Sequence, residues 1–206
     1  MAAVRTLRDR LRRPDWLAEL QVVVVIGLVA TGLAVVVNLV ALAMREPIVI
    51  AVPAKAIDGL VGSAGGLRTG AAVTADSTVE IQLADPSLAD TLWYAAGSLP
   101  ELLLVVAVLA LLLRLIVAAR RADPFTAATV RRLRVLGGTS AIGGVLTGFA
   151  STFAQLVLTN DVSGGDLAAA TLTVNPIWIL VGGGFLAFGE IVNRGRALRA
   201  ELDTVI

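Results

Sequence analysis

The sequence predicts an all-α membrane protein with four transmembrane helices and a small strand-containing extracytoplasmic insertion between helices 1 and 2. Three observations predict this single membrane domain over residues 1–206. Hydrophobic residues make up 57% of the chain and its mean hydropathy is +0.85, whereas soluble domains use ~45–50% apolar residues. Four apolar stretches are long enough to cross a hydrocarbon core of ~30 Å. Basic residues lie before the first stretch, between the second and third, and after the fourth, so they would share one side of a membrane.

The first predicted transmembrane helix covers residues 17–44. Its segment Val22–Met44 holds no ionisable group, and at ~1.5 Å per residue it spans the hydrocarbon core. Trp16 stands where an interfacial aromatic anchor is expected. A cleaved secretory signal is the competing interpretation, because residues 41–43 resemble a cleavage site. We favour a retained helix, since the apolar part of a signal is typically only ~7–15 residues long.

Residues 45–91 form the long polar segment of the chain. Apolar and polar residues alternate through Val79–Leu83, which is the period of a half-buried strand. Ile48–Val52 and Val73–Ala75 are two further strand candidates. Because the segment is too short for a core of its own, we expect it to rest on the helix ends or on a partner.

The second predicted transmembrane helix covers residues 98–119 and has two candidate starts. One is Pro86, preceded by Asp85 as an N-cap. The other is Ser98, which opens an S-x-x-E capping box. Either one helix begins at Pro86 and kinks near Pro100, or a separate interfacial piece precedes a span that begins at Ser98.

The third and fourth predicted helices cover residues 135–159 and 176–193. Thr126 is placed to cap the helix that leads into the third span. An asparagine–proline pair at 175–176 marks the start of the fourth. The remaining residues, 194–206, form a polar tail.

The distribution of charge orients these helices. Of the 17 basic residues, all except Arg45, Lys55 and Arg68 lie in or beside the termini and the connection between the second and third helices. Because such a bias sets orientation, we expect both termini in the cytoplasm of a bacterial cell, with the chain in its cytoplasmic membrane. The opposite segments carry acidic residues instead: Glu46, Asp58, Asp76, Glu80, Asp85, Asp90, Asp161 and Asp166.

The composition excludes several kinds of site. The chain contains no cysteine and no histidine, which removes thiolate zinc sites, haem ligation by those residues and histidine-dependent catalytic triads. No phosphate-binding or dinucleotide-binding motif is present, and no DNA-reading helix follows the basic residues. We therefore expect no catalytic, cofactor or metal site, no direct contact with nucleic acid, and a protein that is not an enzyme.

Glu190 is the carboxylate that most needs a partner, because a charged group within lipid costs about 3 kcal/mol or more. It lies about 21 Å along the fourth helix from Pro176 at helical rise. We expect it to point into the bundle and to pair with Arg114 or with an arginine of the 120–134 connection. Such a pair would hold the fourth helix against the second and third helices and the connection between them. Arg194 lies one turn further along the same helix face.

Small residues mark a helix–helix contact. Ser140, Gly144 and Gly148 recur every fourth residue in the third span, and Gly183 lies in a glycine triplet in the fourth. Because lipid provides no hydrophobic drive between helices, close backbone approach through small residues is a usual way for them to associate. We expect the third and fourth helices to pack tightly here. Alternatively, one of these stripes faces a second subunit of a homo-oligomer.

Two segments at the same predicted membrane face carry further patterns. One is D-P-F-T at 123–126, which includes Phe125 and is followed by Arg131, Arg132, Arg134 and Gly137. The other is residues 190–205, with Gly195 and a closing E-x-x-T-V. Together they resemble a bacterial membrane family catalogued as domain of unknown function 2975, although Val192 stands where that family has an aromatic residue.

The resemblance implies four spans and brings no established activity. Members of the family are often encoded beside small helix-turn-helix regulators, which implies a membrane partner for a cytoplasmic regulator. We therefore expect a non-enzymatic sensor whose segment 45–91 faces the stimulus. The residues expected to have a structural or partner-facing role are Glu190, Arg114, Arg194, Arg131, Arg132, Arg134, Phe125 and Gly195.

The alternative is a small transporter or channel-like subunit, which requires a polar path through the bilayer. Its polar side chains would have to converge on one cavity. The candidates for that path are Asn38, Glu101, Thr147, Gln155 and Glu190.

Overall fold

The computed structural model describes residues 16–54, 57, 74, 77–121, 125–163 and 175–203. Within these ranges each of the four helices is long and apolar enough to cross a membrane, and a two-stranded sheet lies between the first two helices. The predicted fold class, an α-helical membrane protein with four transmembrane helices and a small sheet, is confirmed. The elements are α1 (Trp16–Met44), β1 (Ile48–Pro53), β2 (Thr78–Leu83), α2 (Leu88–Arg121), α3 (Ala127–Ser163) and α4 (Pro176–Asp203).

Helix α1 presents an almost wholly apolar surface. Among its 29 residues only Val24 is buried, so its long aliphatic side chains face outwards. In water such an exposed apolar surface would promote aggregation, whereas in a bilayer it is in contact with lipid chains. The hydroxyl of Thr31 donates to the carbonyl of Gly27 at 2.8 Å, which satisfies that polar group within the helix.

Of the two alternatives for α2, the structure shows the single helix that runs through Pro100, but this helix begins at Leu88, two residues after the expected start at Pro86. Its N-cap is Ser87, whose Oγ accepts a hydrogen bond from the Asp90 amide at 3.2 Å, while the Asp90 carboxylate accepts from the Ser87 amide at 2.8 Å. This reciprocal pair is a capping box with aspartate as its acid. Ser98 lies inside the helix and donates to the Tyr94 carbonyl at 2.9 Å, so it is not a cap. The helix then continues through Pro100 without a break.

The predicted Thr126 cap of α3 and the predicted start of α4 at Asn175-Pro176 are confirmed. Thr126 Oγ1 accepts from the Thr129 amide at 3.3 Å, and Asn175 Oδ1 accepts from the Ile177 amide at 3.1 Å. Each cap satisfies an amide that has no partner within its helix. Helix α4 continues to Asp203, so most of the segment expected as a polar tail is helical.

The two strands pair antiparallel, with Ile48 opposite Leu83 and Val52 opposite Val79. Both strands were predicted from their patterns. Of the third candidate, Val73–Ala75, residues 73 and 75 lie outside the described part of the chain. A two-stranded hairpin is marginally stable alone, so its packing partner decides whether it forms.

The strands pack on the end of α3 and the start of α2. Ile50 and Val52 of β1 are 4% and 0% exposed, and they share a core cluster with Leu158 near the end of α3. Trp93 and Tyr94 from the first turns of α2 cover the cluster. The hairpin therefore rests on helix ends, as expected from the small size of the insertion.

Helix α3 is the centre of the helical layer, because each helix packs mainly on its neighbours in the sequence. Leu104 and Val108 of α2 form a buried cluster with Leu136 of α3. Trp178 and Phe185 of α4 pack against the same cluster. The third helix thus holds the second and fourth together.

Close approach of α3 and α4 depends on glycine, as predicted, but not on every glycine expected. A Cβ at Gly144 would overlap the side chain of Trp178, and one at Gly182 would lie 2.7 Å from the carbonyl oxygen of Gly137. The prediction that Gly183 packs is wrong, because no atom lies within 4 Å of a Cβ built there. Successive helix residues point about 100° apart, so the contact falls on Gly182 instead.

The other members of the predicted stripe are buried in α3. Ser140 is 0% exposed and its hydroxyl donates to the Leu136 carbonyl at 2.9 Å. Gly148 is buried, and its carbonyl accepts from the Thr152 hydroxyl at 2.8 Å. These hydroxyls are satisfied inside their own helix, so the stripe contributes close packing rather than hydrogen bonds between helices.

Candidate functional site

Most of the predicted site residues lie at one end of the molecule, which we call the arginine end. It comprises the end of α2, the start of α3 and the end of α4. The start of α1 also reaches it, because Arg120 donates a hydrogen bond to the side-chain oxygen of Gln21. We call the opposite end, where β1 and β2 lie, the hairpin end. The described arginines of the arginine end are Arg114, Arg120, Arg121, Arg131, Arg132, Arg134, Arg194, Arg196 and Arg199.

Glu190 forms two ion pairs at the arginine end. Its Oε1 lies 3.1 Å from Arg194 Nε, one turn along α4, and its Oε2 lies 3.7 Å from Arg134 Nη2 on α3. Of the two partners expected across the bundle, the structure therefore selects the connection arginine and not Arg114. The Glu190 side chain is 48% exposed, so it lies at the boundary of the helix pair and does not point into the bundle.

Phe125 packs against α4 at this same end of the molecule, about one helical turn beyond Glu190. A Cβ at Gly195 would lie 3.2 Å from Phe125 Cε1, so the ring lies against the backbone of α4. The Arg199 guanidinium carbon lies 4.5 Å from the centroid of the ring, within the range of a cation–π interaction. The ring is thus held between the segment before α3 and the last turns of α4.

A third contact joins these two. A Cβ at Gly189 would lie 3.3 Å from the Cβ of Leu133, so α3 and α4 approach closely just before the Glu190 ion pairs. Because glycine has no side chain here, the backbones come near enough for the ion pair and the aromatic contact to form. We call this set the clasp: Phe125, Leu133, Arg134, Gly189, Glu190, Arg194, Gly195 and Arg199.

The remaining predicted residues lie in a separate place. Arg114, Arg131 and Arg132, together with Arg121, line a cavity of about 720 Å³ between α2 and α3. We call it the arginine cavity. Sequence reasoning treated these arginines and the clasp arginines as one group, and the structure divides them between two faces of α3.

A second cavity, of about 520 Å³, lies at the hairpin end. It is bounded by β1, the start of α2, the end of α3 and Asn175. Aromatic side chains line it together with polar ones, among them Tyr94, Glu101 and Gln155. We call it the hairpin-end cavity. Its mixture of apolar walls and a few polar groups is typical of a site for a small amphiphilic molecule.

The five polar residues of the predicted transport path do not share a cavity among the described residues. Glu101 and Gln155 line the hairpin-end cavity, and Asn38 lines a smaller cavity of about 180 Å³. The Thr147 hydroxyl donates to the Gly144 carbonyl at 3.1 Å within α3. Glu190 lies in the clasp, at the opposite end of the molecule.

In the described ranges, no three acidic side chains come close enough together to hold a metal ion. The carboxylate of the clasp, Glu190, is already paired with two guanidinium groups. The geometry of the clasp is therefore that of a contact between helices.

The chain matches a known protein family. A family model described as "Protein of unknown function (DUF2975)" matches residues 64–206. The chain belongs to this family. Comparisons with curated proteins and with solved structures gave no match. Every residue of the clasp and of the arginine cavity lies within the matched range of this DUF2975 protein, whereas α1 and β1 precede it.

The clasp joins the two segments that carry the sequence resemblance to the DUF2975 family. Phe125 comes from the D-P-F-T segment and Gly195 from the segment that begins at Glu190, and the two are in contact. The sequence offered an ion pair of Glu190 as one contact between the two segments, but it did not predict that Phe125 meets Gly195. Arg199 was missed as a site residue, although it lies four residues after Gly195, which places the two on neighbouring turns of one helix face.

Proposed function

We propose that this DUF2975 protein is a non-enzymatic bacterial membrane protein that senses a stimulus and relays it to a cytoplasmic regulator. The observation that carries the proposal is the clasp, in which the two family segments meet at one end of the helical layer. A pair of segments held together by a few weak contacts is suited to a switch between joined and separated states.

The proposed orientation places the arginine end in the cytoplasm and the hairpin end outside. Arginines of three helices gather at the first of these ends, and acidic residues such as Glu46, Glu80 and Asp90 lie at the second. A bias of this kind in short segments beside the spans sets orientation in bacterial membranes. The stimulus would then reach the hairpin-end cavity from outside the cell.

Helix α3 connects the two ends in this proposal. Leu158 packs beneath β1 and lines the hairpin-end cavity, while Arg134 belongs to the clasp. The two positions are 24 residues apart on one helix, or about 36 Å at helical rise. A displacement of α3 relative to α4 at the hairpin end would therefore be transmitted along a rigid element to the clasp.

The strength of the clasp suits such a mechanism. An exposed ion pair contributes about 0–1 kcal/mol, and an exposed cation–π contact about 0.5–1 kcal/mol. Their total of about 0.5–2 kcal/mol overlaps the ~1–3 kcal/mol that is typical of coupling between allosteric sites. Ligand binding at the hairpin-end cavity could therefore open the clasp, which would expose the Phe125 ring and its neighbouring arginines to a regulator.

The test compares two glycine substitutions in α4. G195A adds a Cβ 3.2 Å from Phe125 Cε1, so the ring must shift by a few tenths of an ångström, whereas G183A adds a methyl group where nothing lies within 4 Å. Each protein is cross-linked in native membranes and purified, and its soluble partners are identified by mass spectrometry. We expect a helix-turn-helix protein to co-purify, with its recovery altered several-fold by G195A and unchanged by G183A. Repeated absence of a soluble partner, or equal recovery with both variants, would contradict the proposal.

A further inference from the structure

We propose that the arginine cavity is a specific binding site for the phosphate groups of an anionic phospholipid. The inference is independent of the proposed sensing role, since it concerns the α2–α3 face and not the clasp. It follows from the arrangement of charge and apolar surface around the cavity.

The α2 wall of the cavity is one continuous helix face. Leu111, Arg114, Ala118 and Arg121 line it and are spaced by three, four and three residues, which stacks them on the same side of a helix. Arg114 and Arg121 are seven residues apart, a difference in depth of about 10 Å along the helix axis. The wall therefore presents one guanidinium group near the membrane boundary and a second one deeper.

The α3 wall contributes two more arginines. Arg131 and Arg132 face the same cavity, with Val135 one turn further into the membrane. All four arginine side chains are exposed, so they are free to rearrange around a ligand. Four guanidinium groups from two helices thus line one volume of about 720 Å³.

The charge of this group is not balanced by the described protein. None of the described residues that line the cavity is acidic. The ion pairs of Glu190 with Arg134 and Arg194 belong to the clasp on the other face of α3. Like charges that share one cavity repel each other, and a bound anion removes that repulsion. Guanidinium groups bind phosphate oxygens through paired hydrogen bonds.

The apolar part of the cavity selects a lipid over free phosphate. Leu111, Leu113, Val117 and Val135 lie among or above the arginines and provide a surface for acyl chains. Basic pockets between transmembrane helices are a usual site for anionic headgroups. The deeper guanidinium of Arg114 extends towards the membrane boundary, where the phosphate of a lipid lies. Because four guanidinium groups from two helices line one cavity, a headgroup with two phosphates should bind more tightly than one with a single phosphate.

The test uses native mass spectrometry of the full-length protein with defined lipids. The double variant R114Q/R131Q removes one guanidinium from each wall, and R45Q/R196Q removes the same net charge away from the cavity. We expect cardiolipin to bind more tightly than phosphatidylglycerol, and phosphatidylcholine to bind weakly. R114Q/R131Q should weaken cardiolipin binding about tenfold or more, since each basic residue near a headgroup adds appreciably to affinity. R45Q/R196Q should change it less than about twofold on the same basis.

A competition experiment with inorganic phosphate shows whether the cavity binds a lipid headgroup or free phosphate. Excess phosphate should leave the lipid bound, because it cannot use the apolar wall. The proposal is overturned if phosphate displaces the lipid, if both double variants lose binding equally, or if phosphatidylcholine binds as well as cardiolipin. The single variants R114Q and R131Q are measured alongside. Each should show an intermediate loss, so the test stands even if the double variant is not recovered.

Discussion

The contact between α3 and α4 can be tested with two neighbouring glycines. In the variant G182A the added Cβ would lie 2.7 Å from both the Gly137 carbonyl oxygen and the Ala141 Cβ. These atoms belong to, or sit directly on, the backbone of α3, so they cannot rotate aside. The two helices must separate to accept the methyl group. In G183A no atom lies within 4 Å of the added Cβ, so the helix pair is undisturbed.

The expected magnitude follows from two opposing effects. Alanine is favoured over glycine in a helix by about 1 kcal/mol, and this applies to both variants. Over-packing a close contact costs about 1–3 kcal/mol, and this applies to G182A alone. We therefore expect G183A to unfold with a free energy equal to that of the wild type or up to about 1 kcal/mol higher. G182A should be about 1–3 kcal/mol less stable than G183A, a comparison in which the helix propensity cancels.

The assay is equilibrium unfolding of the purified proteins in mixed micelles by a denaturing detergent. Tryptophan fluorescence follows the transition, because Trp178 packs against the α2–α3 cluster and is exposed as α4 separates. Equal midpoints for the two variants would refute the inference that backbone contact joins α3 and α4. A lower midpoint for G183A would show that the opposite face of α4 meets α3.

Three further predictions concern the α2 cap and the clasp. S87A should lower the free energy of unfolding by about 0.5–2 kcal/mol, because it removes an N-cap. S98A is the control, because it removes only a bond within the helix. The free energies of chemical unfolding of the two variants are compared, and equal losses would show that Ser87 is not the cap. E190Q should cost less than about 1 kcal/mol, because its ion pairs are exposed; the loss should shrink at high salt, and a salt-independent loss would contradict this explanation. F125A should remove the ring that lies against Gly195 and Arg199, seen as faster proteolysis before α3 than in the wild type; an unchanged cleavage rate would show that the ring does not hold this segment against α4.

Much of the topology could be predicted because it depends on local composition. A run of apolar residues long enough to cross lipid must be helical there, since every backbone amide and carbonyl needs a partner within its own segment. The Thr126 cap and the helix start at Asn175-Pro176 could be predicted for a similar reason, because a capping side chain bonds an amide only two or three residues away. The alternation in Val79–Leu83 marked a strand with one buried face.

The start of α2 was missed because its signal is shared by several neighbouring residues. Asp85, Ser87 and Ser98 all belong to residue types that cap helices, and Pro86 and Pro100 offered two helix boundaries. The structure selects Ser87 because Asp90 reciprocates its hydrogen bond and because the first turns of α2 then carry Trp93 and Tyr94 onto the hairpin. That second reason depends on β1, which is distant in sequence.

The partner of Glu190 also depends on residues that are distant in sequence, so the sequence could not identify it. The sequence placed its carboxylate at a depth that both Arg114 and the connection arginines could reach. The choice depends on which face of α3 meets α4, and a sequence pattern does not give the rotation of one helix against another. The structure places Arg134 on that face and Arg131 and Arg132 on the face towards α2, which separates the clasp from the arginine cavity.

The sequence by itself determined that this chain has four membrane-spanning helices, where the third and fourth begin, and that arginine gathers at their ends. These properties depend on hydrophobic length and on bonds between residues a few positions apart. Only the tertiary structure decided that Gly182 and not Gly183 meets α3, and that Phe125 contacts Gly195. Such contacts depend on the angle at which each helix faces its neighbour, and that angle is set by the packing of all the helices together.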